Sequence, residues 1–326
     1  MAMRYILRRV GVLVVTLFII SALTFFAFQL IPSDPVTRML GTEATPELVA
    51  AMQAEMGLDR PIPVRFFRWL SGFVTGDFGI SYSYSISVTE LLGDKVVTTA
   101  ALSAMAFLLV CIISIPLGLL MARYSDIQGK GATATFRRVI MTAVNALIQT
   151  IMAIPPFFTG IILTFIFGLV LRLFTPGGFV SYTDDAGAFF LYMIFPALAI
   201  ALPRSAMVIK LLRGSILREA DSDYVRTAFS RGGGRWYVLI KHISRNAMIP
   251  VVTFLAMTLS DIVVGSIIIE QVFAVPGMGR LLLLSIANRD YPVVQTIVVI
   301  IASVVVVVNF LADLVYQYID PRIRLN

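Results

Sequence analysis

Cysteine and histidine each occur once in 326 residues, as Cys111 and His242, and that scarcity removes several kinds of chemistry. A single cysteine forms no intramolecular disulfide, and inside an apolar run it does not report a redox compartment. One histidine and one cysteine make neither a zinc set nor a Ser-His-Asp arrangement. No Gly-x-x-x-x-Gly-Lys-Ser/Thr run is present, so the chain offers no obvious nucleotide site of its own. Charge is scarce too: 14% of the residues are charged and 58% hydrophobic, whereas soluble proteins average roughly a quarter charged. The expected fold class is an all-α membrane protein with several spans.

A helix rises about 1.5 Å per residue, so roughly 20 apolar residues cross the hydrocarbon core. Six stretches qualify, at about 10–31, 98–122, 139–171, 188–212, 246–270 and 293–317. The first apolar run, Val10 to Ile31, is 22 residues long, longer than the about 7–15 residues of a secretory apolar region, and reads as a retained helix. The 33 residues of the third are too long for one span and too short for two, and Pro155-Pro156 interrupts them; proline removes a helix donor and clashes with the preceding turn. Segments 123–138 and 204–245 on either side are both basic, which predicts one kinked crossing.

Charge placement sets the orientation. The N-terminus, 123–138, 204–245 and the C-terminus carry 18 of the 26 Lys and Arg residues, while the opposite side carries 8 with 12 Asp and Glu. By the positive-inside rule both termini are expected in the cytoplasm of a multi-pass membrane protein. The net charge of +7 is then a topology signal, not a nucleic-acid footprint.

Three regions are expected: 1–31, an N-terminal segment with the first span; 32–97, an external helical subdomain; and 98–326, a five-helix core containing a basic loop at 213–245. In the external region Thr45-Pro46 has the pattern of a helix start and Gly57 of a stop. From Pro63 to Phe78 the residues Phe66, Phe67, Trp69, Leu70 and Phe73 share one helical face. With Arg65 and Arg68 beside Trp69, these helices suit the membrane surface, more as a cap on the bundle than as a recognition site.

The cytoplasmic run from Asp221 to Pro250 is the most informative. Asp221, Ser222 and Asp223 offer capping side chains and Gly232 a left-handed stop, predicting a helix over about 223–231. Tyr224, Val225, Ala228 and Phe229 fall on one face, the spacing of a helix that lies in a partner's groove. Gly232-Gly233-Gly234 permits a sharp turn into a second amphipathic stretch, Arg235 to Asn246, leading to the fifth span. Composition alone fits a solvated basic loop against anionic headgroups about equally well; the order of caps, apolar face and glycines favours docking.

The run from Asp223 to Pro250 resembles the coupling loop of ABC transporter permeases of the dipeptide/oligopeptide/nickel type, through Asp223-Tyr224-Val225-Arg226-Thr227-Ala228, Gly232, His242, Arg245-Asn246 and Pro250. The likeness continues in IPSDPV at 31–36, MGLDRPIPVRF at 56–66, GDFGIS at 76–81, IPLG at 115–118, IPPFF at 154–158, EQVFAVPGMGR at 270–280, RDYP at 289–292 and DPRIR at 320–324. It departs from the general motif, with Arg226-Thr227-Ala228 where that begins Glu-Ala-Ala, and with Phe229 to Gly234 where this branch favours an Ala-Lys-Gly-like run. The resemblance implies a permease subunit of an importer that pairs with a second, homologous permease. It also implies two cytoplasmic ATPase subunits, which hold the ATP and Mg and sit on this loop, and an external substrate-binding protein. Asp223 to Phe229 with Gly232, His242 and Arg245 would then be the ATPase-coupling residues. The resemblance also makes Glu270, Phe273, Pro276, Gly277 and Gly279 an external gate; by physics alone they form a tight turn before a helix at 281–286 too short to cross.

Within the spans Asp261 stands out, mid-way along the fifth, where an acid costs about 2.5–3.5 kcal/mol on insertion scales and usually faces a cavity or partner. It reads as a residue of the translocation path or as an interhelical bonder. Asn145, Gln149 and Thr150, before the proline break, are placed on the same path or, more naturally, in helix–helix bonding. An ion-gradient-driven secondary transporter, which needs an intramembrane ion site, is the alternative. An intramembrane protease would need paired acids or a Ser-His pair at depth. Peptide leads over an opine-like molecule or a metal chelate as cargo, and no catalysis is expected of the chain itself.

Overall fold

The computed structural model describes residues 2–30, 36, 40, 44–55, 57–125 and 132–319. Most of IPSDPV, Met56, Asp126, Lys130 and the whole of DPRIR lie outside the described residues. The described chain is helical, with one isolated bridge, Ile80 to Ser87, so it is an all-α membrane protein. Five helices are long and apolar enough to cross a bilayer: Leu7–Gln29, Val88–Arg123, Ala186–Ala220, Arg235–Val272 and Tyr291–Leu314. The expected third span is instead two helices, Thr135–Ala153 and Pro156–Val170, meeting at 108°. That is sharper than a kink, because Pro155 leaves the helix altogether, with φ −60° and ψ 145°, and Pro156 starts the next one.

The helices are α1 (Ala2–Gln29), α2 (Pro46–Glu55), α3 (Ile62–Thr75), α4 (Val88–Arg123), α5 (Ala132–Ala153), α6 (Pro156–Leu163), α7 (Ala186–Ala220), α8 (Asp223–Ser230), α9 (Arg235–Val272, with a π-turn at Leu239–Ile243), α10 (Met278–Ala287) and α11 (Tyr291–Ile319). They fall into two compact units, one of 1–99 with 276–307 and the other of 100–275 with 308–326.

In the first unit, α2 starts as the sequence predicts: the Thr45 hydroxyl accepts the Leu48 amide at 3.3 Å, and Gly57 beyond its end has φ +66°. Helix α3 packs its apolar face on α1, with the Phe66 ring 5.4 Å from Phe25 and 5.8 Å from Phe18. Phe66 is buried whereas Phe67, expected on the same face, is exposed; at 100° per residue adjacent positions cannot both point inward. Asp290 of the RDYP motif, fully buried, clasps the loop before α4, accepting the Ser81 hydroxyl and the amides of Tyr82 and Ser83 at 3.1 Å each. Asp290→Ala removes the acceptor of three donors, one in a buried bond and two in part-buried bonds; at about 1–3 kcal/mol for a buried unsatisfied group and less for donors that water can reach, a loss of roughly 1–3 kcal/mol is expected. Thermal unfolding of the purified protein measures it, and an unchanged midpoint removes the clasp from the account.

In the second unit α7 is the central helix. Alanines 197, 199, 201 and 206 along it are buried, and small residues let membrane helices approach closely. Gly118 of the IPLG motif works the same way: a β-carbon there lies 2.7 Å from Leu212 of α7. Near its C-terminal end Arg213 donates to Ser125 Oγ at 2.8 Å and to Asn145 Oδ1 at 3.1 Å.

Candidate functional site

Helix α8 occupies the predicted place. Its N-cap is Ser222, which makes no side-chain capping bond, and the acid in its first turn is Asp223. The stop is as expected: Gly232 has φ +82°, and the Gly232 and Gly233 amides return to the carbonyls of Phe229 and Ala228. A β-carbon on Gly233 meets the Ala228 carbonyl oxygen at 2.9 Å and a Val238 methyl at 2.8 Å, while Gly234 has open space. Gly233→Val is therefore expected to cost about 1–3 kcal/mol through overpacking and to speed tryptic cleavage at Arg231 and Arg235. Gly234→Ala is expected to do neither; equal behaviour of the two variants contradicts the close turn.

The apolar face of α8 differs from the docking face that the spacing suggests. Val225 is 1% exposed and belongs to the core, with Ala228 packed against it. An eight-residue helix tethered at both ends gains more by burying this face against its own unit. The exposed positions are Asp223, Arg226, Thr227, Phe229, Ser230 and Arg231, with Tyr224 at the margin. The Asp223–Arg226 pair, 3.6 Å apart and exposed, contributes little.

Tyr224 has a second task. Its hydroxyl donates to Glu219 Oε1 at 2.8 Å, and Asn246 Nδ2 reaches both Glu219 Oε1 and Tyr224 Oη at 3.2 Å. Glu219 ends α7 and Asn246 lies in α9, so three side chains tie α8 to the helices on either side of it. Burial, then the bond to Glu219, raises the Tyr224 hydroxyl above its ordinary value, which keeps this donor protonated at neutral pH. A further tie follows the glycines: the Arg123 guanidinium at the end of α4 lies 4.4 Å from the Trp236 ring, in cation–π range. His242 lies in the π-turn, its ring edge-on to Tyr237 at 5.6 Å, and Arg245 is exposed.

Sequence reasoning missed Glu219 and Arg123, since a partner five or more residues away on another element leaves no periodic trace. The tyrosine's own neighbours in sequence gave no hint of its hydroxyl's partner.

In the spans, Asp261 is paired: Arg204 Nη1 of α7 lies 2.9 Å from its Oδ2, and 56% of the Asp261 side chain is exposed. It shares an exposed stripe of α9 with Met257, Val264 and Ile268. Charges at mid-span are expensive against lipid, so this face belongs against water or another protein. Asn145 is engaged at both ends, donating to the Met141 carbonyl and accepting from Arg213; Thr150 bonds back to the Ala146 carbonyl; Gln149 is exposed.

The turn expected at Pro276-Gly277 falls earlier. Helix α9 ends at Phe273 and the chain reverses at Ala274, with φ +56°, and the Val275 amide bonds the Glu270 carbonyl at 2.8 Å; Gly277 is extended, the N-cap of α10. Helix α10, Met278–Ala287, is too short to cross, as expected. In the second unit Glu270 and Phe273 are buried; the Phe273 carbonyl accepts the Tyr192 hydroxyl at 2.5 Å, and its ring lies 6.1 Å from Phe174. In the first unit Gly277 and Gly279 are buried, and the Met278 amide donates to Thr99 at 2.8 Å.

Residues 114–325 match the family described as the binding-protein-dependent transport system inner membrane component, and residues 2–103 match the N-terminal part of such components. A protein of Sinorhizobium fredii named "Probable peptide ABC transporter permease protein y4tP" is 33% identical over 98% of this chain and 99% of its own. The "Dipeptide transport system permease protein DppB" of Escherichia coli is also 33% identical, over 99% of each chain. With apolar helices long enough to cross a membrane, a basic loop folded as a tethered helix, and similarity along nearly the whole length, the chain belongs to the family of binding-protein-dependent transport system inner membrane components.

Proposed function

We propose that this chain is the membrane-spanning permease subunit of an ATP-driven importer of peptides. It pairs with a second, homologous permease, rests on two cytoplasmic ATPase subunits that bind ATP and Mg, and receives cargo from an external binding protein. Both termini lie in the cytoplasm, the bent pair α5–α6 makes one crossing, and region 32–97 is external. Closure of the ATPases moves α8, and α8 moves α7 and α9, switching the side to which the path opens. The observation that carries this reading is the Glu219–Tyr224–Asn246 tie, which makes one rigid connection of a cytoplasmic helix and its two flanking helices. Names of relatives that transport peptides support the cargo class.

Asp261 and Arg204 line the path on this reading, with Gln149 toward its cytoplasmic side, while Asn145 serves helix–helix bonding. The segment from Glu270 through Phe273, Pro276, Gly277 and Gly279 forms the external gate. The pairing of Asp261 with Arg204 weakens the ion-gradient alternative, which needs a carboxylate free to bind its ion. Uptake of labelled dipeptide by vesicles holding the four membrane and ATPase subunits, with binding protein outside, distinguishes the two. Uptake that requires internal ATP and persists without an ion gradient is expected; uptake that tracks the gradient and ignores ATP overturns the proposal.

A further inference from the structure

Within the first unit lies a cavity of about 830 Å³ that the transport reading does not use. Its charged lining is one-sided among the described residues. Arg60, Arg65 and Arg68 all contribute to it, and Asp77 is the one described acid that does, with Oδ1 already accepting the Gly79 amide at 3.1 Å. None of the three arginines has a carboxylate of the described residues within ion-pair distance. Arg68 and Arg60 converge on Gly57, their side chains lying 3.1 and 3.7 Å from where a β-carbon would stand. Arg65 acts electrostatically on the Tyr82 hydroxyl, which burial pushes up to about 12, so Tyr82 remains a donor at neutral pH. The nearby carboxylate of Asp290 is spent on Ser81, Tyr82 and Ser83.

The other walls are mixed, with the rings of Phe25, Phe28 and Trp69 beside the amides of Gln29, Gln53 and Gln295. Phe25 and Phe28 belong to the last turns of the first span, Leu7–Gln29, so the cavity sits at the depth where that span leaves the hydrocarbon. Guanidinium forks match phosphate oxygens in pairs. A basic pocket of this kind beside an aromatic wall at the membrane surface suits a phosphate carried by an amphiphile.

We propose that the Arg60/Arg65/Arg68 cavity is a binding site for a phosphate-bearing anion, presented by an anionic phospholipid headgroup or as free phosphate. Its function is to seat the α2–α3 region on the membrane surface through its ligand. Nothing in the transport cycle is required for it, so it stands or falls separately from the coupling reading.

The test is native mass spectrometry of the purified assembled complex, titrated with phosphatidylglycerol or with phosphatidylcholine, and separately with inorganic phosphate as competitor. Phosphatidylglycerol is expected to bind in preference to phosphatidylcholine, and the double variant Arg60→Gln/Arg68→Gln to weaken it about tenfold or more, since charge-assisted bonds are lost. Both side chains are exposed, and thermal unfolding checks that the variant is folded. Displacement of the lipid by millimolar phosphate supports a site that reads the phosphate alone; no displacement supports one that needs the acyl chain as well. Equal binding of the two lipids by the wild-type complex together with no effect of phosphate overturns the proposal. So does a double variant that keeps its lipid and phosphate binding but loses capture of an acidic external protein. If the double variant does not fold, Arg65→Gln and the wild-type lipid preference decide.

Discussion

Replacing Asp261 by lysine is expected to abolish uptake of cationic dipeptides, by a factor of at least about 100, while the complex still assembles. The wild-type carboxylate sits 2.9 Å from Arg204, so lysine turns an attractive pair into two facing cations. Breaking a fully buried pair costs about 3–5 kcal/mol; here more than half of the Asp261 side chain is exposed, and screening at such a site leaves a repulsion of roughly 1–3 kcal/mol. That is small enough for assembly to survive, whereas a cationic cargo passing two positive groups meets a barrier added at every crossing. The exchange Arg204→Asp with Asp261→Arg separates packing from passage. It restores the pair, so stability returns, but it reverses the order of charges along α7 and α9. Selectivity between lysine- and glutamate-containing dipeptides is then expected to shift. Competition uptake in vesicles measures it. Selectivity identical to wild type in both the single and the exchanged variant removes Asp261 from the path and leaves the pair as a structural tie.

The second large effect belongs to Glu219→Ala, expected to lower peptide uptake about tenfold while ATP hydrolysis by the complex continues. Glu219 Oε1 is the acceptor shared by Tyr224 and Asn246. A hydrogen bond to a charged group contributes about 1.5–3 kcal/mol, less at an exposed site, so about 1–2 kcal/mol of connection between α8 and its flanking helices is lost. Stroke by the ATPases then moves α8 without moving α7 and α9 together. Glu219→Gln keeps an acceptor and is expected to retain most uptake, which a merely destabilising change would not distinguish. The raised Tyr224 hydroxyl adds a pH statement. A folded-state value above the ordinary one near 10 means that its contribution is complete below that pH and is lost only as pH rises through the higher folded value. The ratio of peptides moved to ATP consumed is therefore expected to stay flat from about pH 6 to 9 as far as this tie is concerned.

How much was legible in the sequence varies with the physics involved. Long apolar runs announced five of the helices, because twenty apolar residues have few other fates. The Thr45-Pro46 start, the Gly232 stop and the short helix before it were readable from local capping chemistry. The Val225 face was misjudged, because an amphipathic pattern says that one face is apolar without saying whether the cover is a partner or the chain itself. The 108° break at Pro155 was read as a kink: two prolines mark where a helix ends, and the angle depends on what each half packs against. Asp290, Glu219 and Arg204 act on partners on other elements, from five to about two hundred residues away, so their roles required the fold. Motifs that matched a family, such as IPLG and RDYP, turned out to hold a close helix contact at Gly118 and the Asp290 clasp.

The central claim is that α8 takes its push from an ATPase through its exposed side while its buried side holds it to the spans. Cysteine crosslinking in the assembled complex tests this most directly, in a Cys111→Ser background with single cysteines at Phe229 and at Val225, whose exposures are 44% and 1%. A short crosslinker is expected to join position 229 to an ATPase subunit, with a yield that changes between nucleotide-free and ATP-bound states, and to leave position 225 unjoined. No crosslink from position 229 or its exposed neighbours Arg226 and Ser230 in either state would contradict the account.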